Sequence, residues 1–138
     1  MSALPLHYVD LRAFCYVTED EAAVEKALRT FLPEEFPIER VETEGHFGDR
    51  ILVLSARVET ADEIRHVLDR FRELEELDRV RAELDQRVDG NCALFVRLDK
   101  QRAFRGEVAL GEGITFRAKV EAYPAKKESA IENVESLL

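Results

Sequence analysis

The feature that most limits what this chain can fold into is a hydrophobic period that switches repeatedly between two and about 3.6 residues. From Pro5 to Val17 apolar and polar side chains alternate, as in a strand with one buried face. His7, Val9, Leu11, Ala13 and Cys15 then share the predicted inner face, with Tyr8, Asp10, Arg12, Phe14 and Tyr16 on the outer one. The next segment changes period: Val24, Leu28, Phe31 and Leu32 form a helical stripe that Pro33 and Pro37 close. Thr18 stands three residues before Glu21, the spacing of a capping box.

Residues 38–44 and 51–58 return to the strand pattern, joined by Gly45-His46-Phe47-Gly48-Asp49-Arg50. Thr60 and Glu63 repeat the capping spacing ahead of a stripe at Ile64, Val67, Leu68 and Phe71. Helical spacing resumes at Leu77, Val80, Leu84 and Val88, which predicts two helices with a break near 75–78, or one bent helix. Cys92–Leu98 reads as a strand and 99–105 as a polar stretch with at most one helical turn. Glu107–Leu110 and Ile114–Tyr123 read as a hairpin around Gly111-Glu112-Gly113. Residues 126–138 form a tail, either a short helix or disordered. This order predicts one α+β domain over 1–125. Its architecture is a two-layer sandwich: a mostly antiparallel sheet with helices on one face.

Charge narrows the function. Twenty basic residues face twenty-nine carboxylates, a net charge of -9, which argues against a protein that coats nucleic acid uniformly. The cations are unevenly placed: eight of them, with only four carboxylates, fall between 97 and 127. Surplus carboxylate with five lysines among the twenty cations suits a salt-loving organism or an Arg-rich genome. No apolar run reaches the roughly 18–20 residues of a membrane span, and no secretion signal is visible, so a cytoplasmic protein is expected. Cys15 and Cys92 lie in apolar segments and read as buried small hydrophobes.

Alternation sets cations and aromatics on one open sheet face. Arg97, Arg117 and Lys119 point outward with Tyr8, Phe14 and Phe95, a pattern suited either to RNA or to another subunit. The 97–105 stretch adds Lys100, Gln101, Arg102 and Arg105. The candidate RNA contacts are therefore Arg97, Lys100, Arg102, Arg105, Arg117 and Lys119 for phosphate, and Gln101 for a base edge or 2′-hydroxyl. Tyr8 and Phe95 are candidates for stacking. Enzymatic patterns are poor. His7, His46 and His66 have no metal-ligand spacing, and no Walker loop is present. Glu42, Glu44, His46 and Asp49 could at most ligate a metal around the hairpin, the basis of a distant nuclease reading. Gly45-x-x-Gly48 matches an RNA-clamping GxxG loop in letters but sits between strands. No catalytic residue, metal or cofactor is expected.

Several segments together carry a resemblance. They are Arg12-Ala13-Phe14-Cys15 with Thr18-Glu19-Asp20-Glu21, the run Glu42 to Gly48, Arg97-Leu98-Asp99-Lys100-Gln101 with Ala103, and Lys119 to Pro124. In their order and spacing the chain resembles the archaeal family of predicted exosome subunits and RNA-binding proteins, over about residues 5–128. The resemblance implies an α+β fold like that of the ribosomal protein that binds 5S RNA. It also implies a cytoplasmic role in RNA processing, with RNA rather than DNA as partner and RNA-processing subunits as further partners. It brings no catalytic residues. A self-associating subunit, the homodimer that an aromatic sheet face and the tail residues Ile131, Val134, Leu137 and Leu138 would build, is the alternative.

Overall fold

A computed structural model describes residues 4–138. Among these residues five strands form one sheet: β1 (Leu6–Cys15), β2 (Glu39–Glu44), β3 (Arg50–Val58), β4 (Ala93–Asp99) and β5 (Gly113–Val120). Their order is β2-β3-β1-β5-β4, and every pairing is antiparallel. The described residues also form the helices α1 (Glu21–Arg29), α2 (Ala61–Phe71), α3 (Leu77–Ala82), α4 (Leu84–Arg87), α5 (Lys100–Phe104) and α6 (Lys127–Leu137). The α+β class follows directly.

Alternation does the sorting. Val9, Leu11 and Ala13 of β1 are buried, as are Leu52, Leu54, Ala56 and Val58 of β3 and Ile114, Phe116, Ala118 and Val120 of β5. The helical stripes close over this face. Ile64, Val67, Leu68 and Phe71 from α2 are buried, and the Phe71 and Phe116 rings stack at 4.6 Å. The 126–138 segment joins this layer through Ala130 and Val134 of α6, both buried.

The sequence reading needs correction at four points. His7 is exposed rather than inward, because a bulge between Leu6 and Tyr8 inserts one residue and turns Leu6 into the core. Thr18 does not cap α1: Asp20 does, accepting from the Ala22 amide at 3.1 Å, while Thr18 lies in the preceding turn. Thr60 holds the cap position of α2, but its hydroxyl donates to the Glu63 carboxylate at 2.6 Å instead of exchanging bonds with the backbone. The hairpin expected around 111–113 does not form. β5 pairs with β1 and β4, and only Leu110 of the 107–110 stretch makes a bridge, to Leu98.

That last difference has a local cause. Segment 109–112 lies along the end of β4, with the Asp99 amide donating to Ala109 O and the Lys100 amide to Glu112 O. A Cβ on Gly111 would come 2.6 Å from Asp99 Cβ, and one on Gly113 2.5 Å from Lys100 Cβ. Gly113 also has φ +115°. These two glycines allow close approach of chain segments. The helical stretch 61–88 breaks at 72–76 and again at Glu83, giving α2, α3 and α4.

Candidate nucleic-acid interface

The sheet's outer face is a lattice set by register. One row across it reads Arg57, Asp10, Arg117, Phe95; the next reads Ser55, Arg12, Thr115, Arg97. In the first row Arg57 holds the Asp10 carboxylate with two bonds, 2.8 and 3.0 Å, while Arg117 approaches the same carboxylate at 3.5 Å. Hydrogen bonding to Asp10 pushes the Arg57 guanidinium above its ordinary value. Tyr8 is engaged by both arginines: Arg57 lies 4.0 Å from its ring centroid, and Arg117 donates to its hydroxyl at 2.9 Å. Arg117 also lies 5.6 Å from the Phe95 ring. Guanidinium planes thus cover part of the aromatic surface and are themselves flat platforms.

Arg12 differs. It is exposed, its guanidinium lies 5.5 Å from the Phe14 ring, and it has no carboxylate partner among the described residues. It lies between two adjoining hollows. One, about 720 Å³, runs from Phe36 and Pro37 across Arg57 to Phe95. The other, about 860 Å³, runs from Phe95 and Arg97 to Arg79 and Arg87. Arg12, Phe95 and Thr115 line both.

The residues singled out in the sequence separate into two places. Tyr8, Phe95, Arg97, Arg117 and Lys119 belong to the outer face. Arg97 pairs with Glu112 at 3.1 Å, and the Lys119 ammonium donates to the Asn91 carbonyl. Lys100, Gln101, Arg102 and Arg105 sit on the α5 edge. Lys100 is an internal strut: its side chain is 14% exposed and its ammonium donates to Phe14 O and to Glu19, both at 2.9 Å. Arg102 pairs with Glu107 at 3.1 Å, and Asp99 caps the helix through the Arg102 amide. Gln101 and Arg105 are exposed, and Arg105 has no anionic partner among the described residues.

Two arginines of this face, Arg12 and Arg57, lie outside the basic segment and were not among the candidate contacts. The signal for Arg57 is the buried run Leu52, Leu54, Ala56, Val58, whose alternation turns residue 57 outward. Among the described residues no three His, Cys, Asp or Glu side chains gather as a metal site. Cys15 and Cys92 are free and buried, and burial pushes the Cys15 thiol up.

Comparison with known proteins places this geometry. A family model described as RNA binding matches residues 8–120, the span from Tyr8 to the end of β5. The chain belongs to that RNA-binding family. Its archaeal relatives include the RNA-binding protein PAB1135 of Pyrococcus abyssi, 37% identical, with 98% of this chain and 95% of the relative covered. Protein AF2318 of Archaeoglobus fulgidus has a similar structure, with TM-score 0.87, 30% identity and coverage of 96% of this chain and 99% of that one. So does Mth689, a DUF54 protein of Methanothermobacter thermautotrophicus, with TM-score 0.83, 39% identity and coverage of 96% and 98%. The family's matched span holds the whole outer face but ends before α6. No helix among the described residues is long and apolar enough to cross a membrane.

Proposed function

We propose that this chain is a non-catalytic RNA-binding protein of archaeal RNA processing, and that it contacts RNA with the outer face of its sheet. The observation that carries the reading is the open row Arg57, Asp10, Arg117, Phe95 beside the unpaired Arg12, in a chain whose family is described as RNA binding. Cations positioned by strand register hold phosphate, and flat guanidinium and aromatic groups stack on bases. Arg97, Arg117 and Lys119 extend the contact along β4 and β5. Gln101, Arg102 and Arg105 supply a second edge. Lys100 is left out of the contact set because its side chain is largely buried and its ammonium is held inside the fold, whereas the paired Arg97 and Arg102 stay exposed. Association with an RNA-processing complex, the exosome among them, and kinship of the fold with the 5S-RNA-binding ribosomal protein belong to the same proposal; the sequence resemblance supports both.

The test is retention of a fragmented ribosomal RNA pool by the full chain across a potassium chloride series, with Arg12→Gln/Arg97→Gln/Arg117→Gln as the paired variant. Phosphate contact predicts affinity that falls with salt and a shallower slope for the variant. No retention of RNA at any salt concentration in the series overturns the proposal.

A second reading, self-association, has its support at the other end of the same face. Val41 and Phe14 are 55% and 38% exposed, and both are paired to Val53 in the sheet. The tail gives it no help: Val134 is buried, and Ile131, Leu137 and Leu138 pack on this chain's own core. Sedimentation in the absence of RNA separates the two, since a stable dimer through this face would compete with RNA.

A further inference from the structure

Resting on the RNA-binding reading, we infer that the outer face takes unpaired nucleotides, with Arg12 holding the phosphate between two bases that enter the two hollows. The charges are arranged for this. Apart from Arg12, the first hollow is lined by Arg57 and Arg117 with Asp10, Glu39 and Glu59, and the second by Arg79, Arg87 and Arg97 with Glu76, Asp89 and Glu112, so neither carries surplus positive charge for a phosphate. Asp10 and Glu112 are held by arginines, whereas Glu39, Glu59, Glu76 and Asp89 have no cation partner among the described residues. Those four suit a base edge, whose amino and imino N–H groups donate to a carboxylate. At the boundary the balance reverses, because Arg12 lines both hollows and has no anion of its own.

Two residues that line the second hollow carry buried polar atoms without a partner: Glu76 Oε1 and Arg87 Nε have no hydrogen bond among the described residues. Glu76 uses its other oxygen to accept from the Leu110 amide at 3.3 Å, which fixes the carboxylate in place. An orphaned acceptor and an orphaned donor are costly to leave buried. A base edge offers both complements. In a duplex those edges are already paired, and the bases are stacked inside a helix that cannot enter a hollow of this size. Volumes of about 720 and 860 Å³ fall in the range of clefts that enclose small molecules. The Phe95 ring between them, 39% exposed, gives a splayed base a surface on which to stack.

The experiment compares a labelled twelve-nucleotide RNA of mixed sequence with the same strand closed into a blunt duplex. The full-length chain, Arg12→Gln, Arg12→Lys and Arg105→Gln are each titrated over a salt series. The expected result is single-strand binding at least about tenfold tighter than duplex binding. Arg12→Gln should weaken it about three- to tenfold and lower the salt slope by about 0.7, the value of one single-strand phosphate contact. Arg12→Lys should keep the slope. Backbone amide signals of the unmodified chain should move at Arg12, Phe95 and Thr115 when the single strand is added, which reads the site without any variant. Equal or tighter binding of the duplex overturns the inference, as does shift confined to Gln101 and Arg105. If that happens while the ribosomal RNA pool still binds, the inference falls alone and the RNA-binding reading stands. If no RNA binds at all, both fall.

Discussion

The outer face around Arg12 and the α5 edge around Lys100 draw on the same stock of cations, yet the fold treats them oppositely. On the outer face the guanidinium groups lie over aromatic rings and open hollows. At the α5 edge the central ammonium is 14% exposed and tied to Glu19 and to the backbone of β1. Cations counted along a segment therefore say little about cations available to a ligand. What decides availability is whether a paired cation still reaches solvent, as Arg97 does at 71% exposure and Lys100 at 14% does not, and that is a property of the tertiary packing. Lys100 joins α5 to the turn after β1, whereas Arg12, two residues before Phe14 in that strand, faces solvent.

The largest effect that sharpens this contrast comes from the α5 edge. Gly113→Ala would place a methyl group 2.5 Å from Lys100 Cβ at a φ of +115°. Overpacking together with a disfavoured backbone predicts a loss of about 3 kcal/mol, read as a lower chemical-denaturation midpoint. Next, Lys100→Ala removes two charge-assisted bonds and leaves Glu19 partly buried without its cation. A loss of about 2 kcal/mol is expected, whereas Arg12→Gln should stay within about 0.5 kcal/mol of the parent. If Lys100→Ala instead left stability unchanged and lowered RNA affinity, the contrast between strut and contact would be broken.

A subtler probe is Asp10→Asn. Asp10 holds Arg57 and Arg117 by direct ion pairs. Its neutralisation adds one net positive charge to the outer face and none to the α5 edge. Binding through the outer face predicts roughly threefold tighter binding at low salt and a steeper salt slope. The folding cost stays below about 1 kcal/mol, since the Arg57 guanidinium is half exposed and an asparagine still accepts its hydrogen bond. An unchanged slope would move the RNA site away from this face.

How much of this was legible before the structure depends on the range of the interaction. Strand faces and helix stripes are local periodicities, and β3, β5 and α2 bury the residues that their spacing selects. His7 escaped because a one-residue bulge shifts parity without leaving a mark in composition. Thr18 and Asp20 both precede a helix, and only backbone geometry shows which one caps it. Gly111 and Gly113 looked like a turn because glycine has two uses. The actual one, close approach to Asp99 and Lys100, is a contact between segments that sequence spacing does not display. The outer face was readable as a set of residues on one side. Which of its cations are paired was not, because Arg57 meets Asp10 across 47 positions and Lys100 meets Glu19 across 81.

The smallest effect lies at the rim of the second hollow, where Glu83 holds both Arg79 and Arg87 at 3.0 Å. The hydrogen bond from Arg87 and the charge of both arginines hold its carboxyl below the ordinary value of 4.5. A lowered folded value means that the contribution to folding is complete above the ordinary carboxylate range. It is lost as pH falls through the lower folded value. Glu83→Gln removes that contribution, so the difference in Tm between parent and variant should be greatest near neutral pH and close up in acid. The same variant frees two arginines beside the hollow without touching the α5 edge. A slight rise in RNA affinity with the Tm difference closing in acid would assign the rim to the outer-face site. A Tm difference independent of pH would show that the Glu83 charge is not what orders Arg79 and Arg87. The two arginines would then be ordered by the short helices that carry them, anchored by the buried Val80 and Leu84.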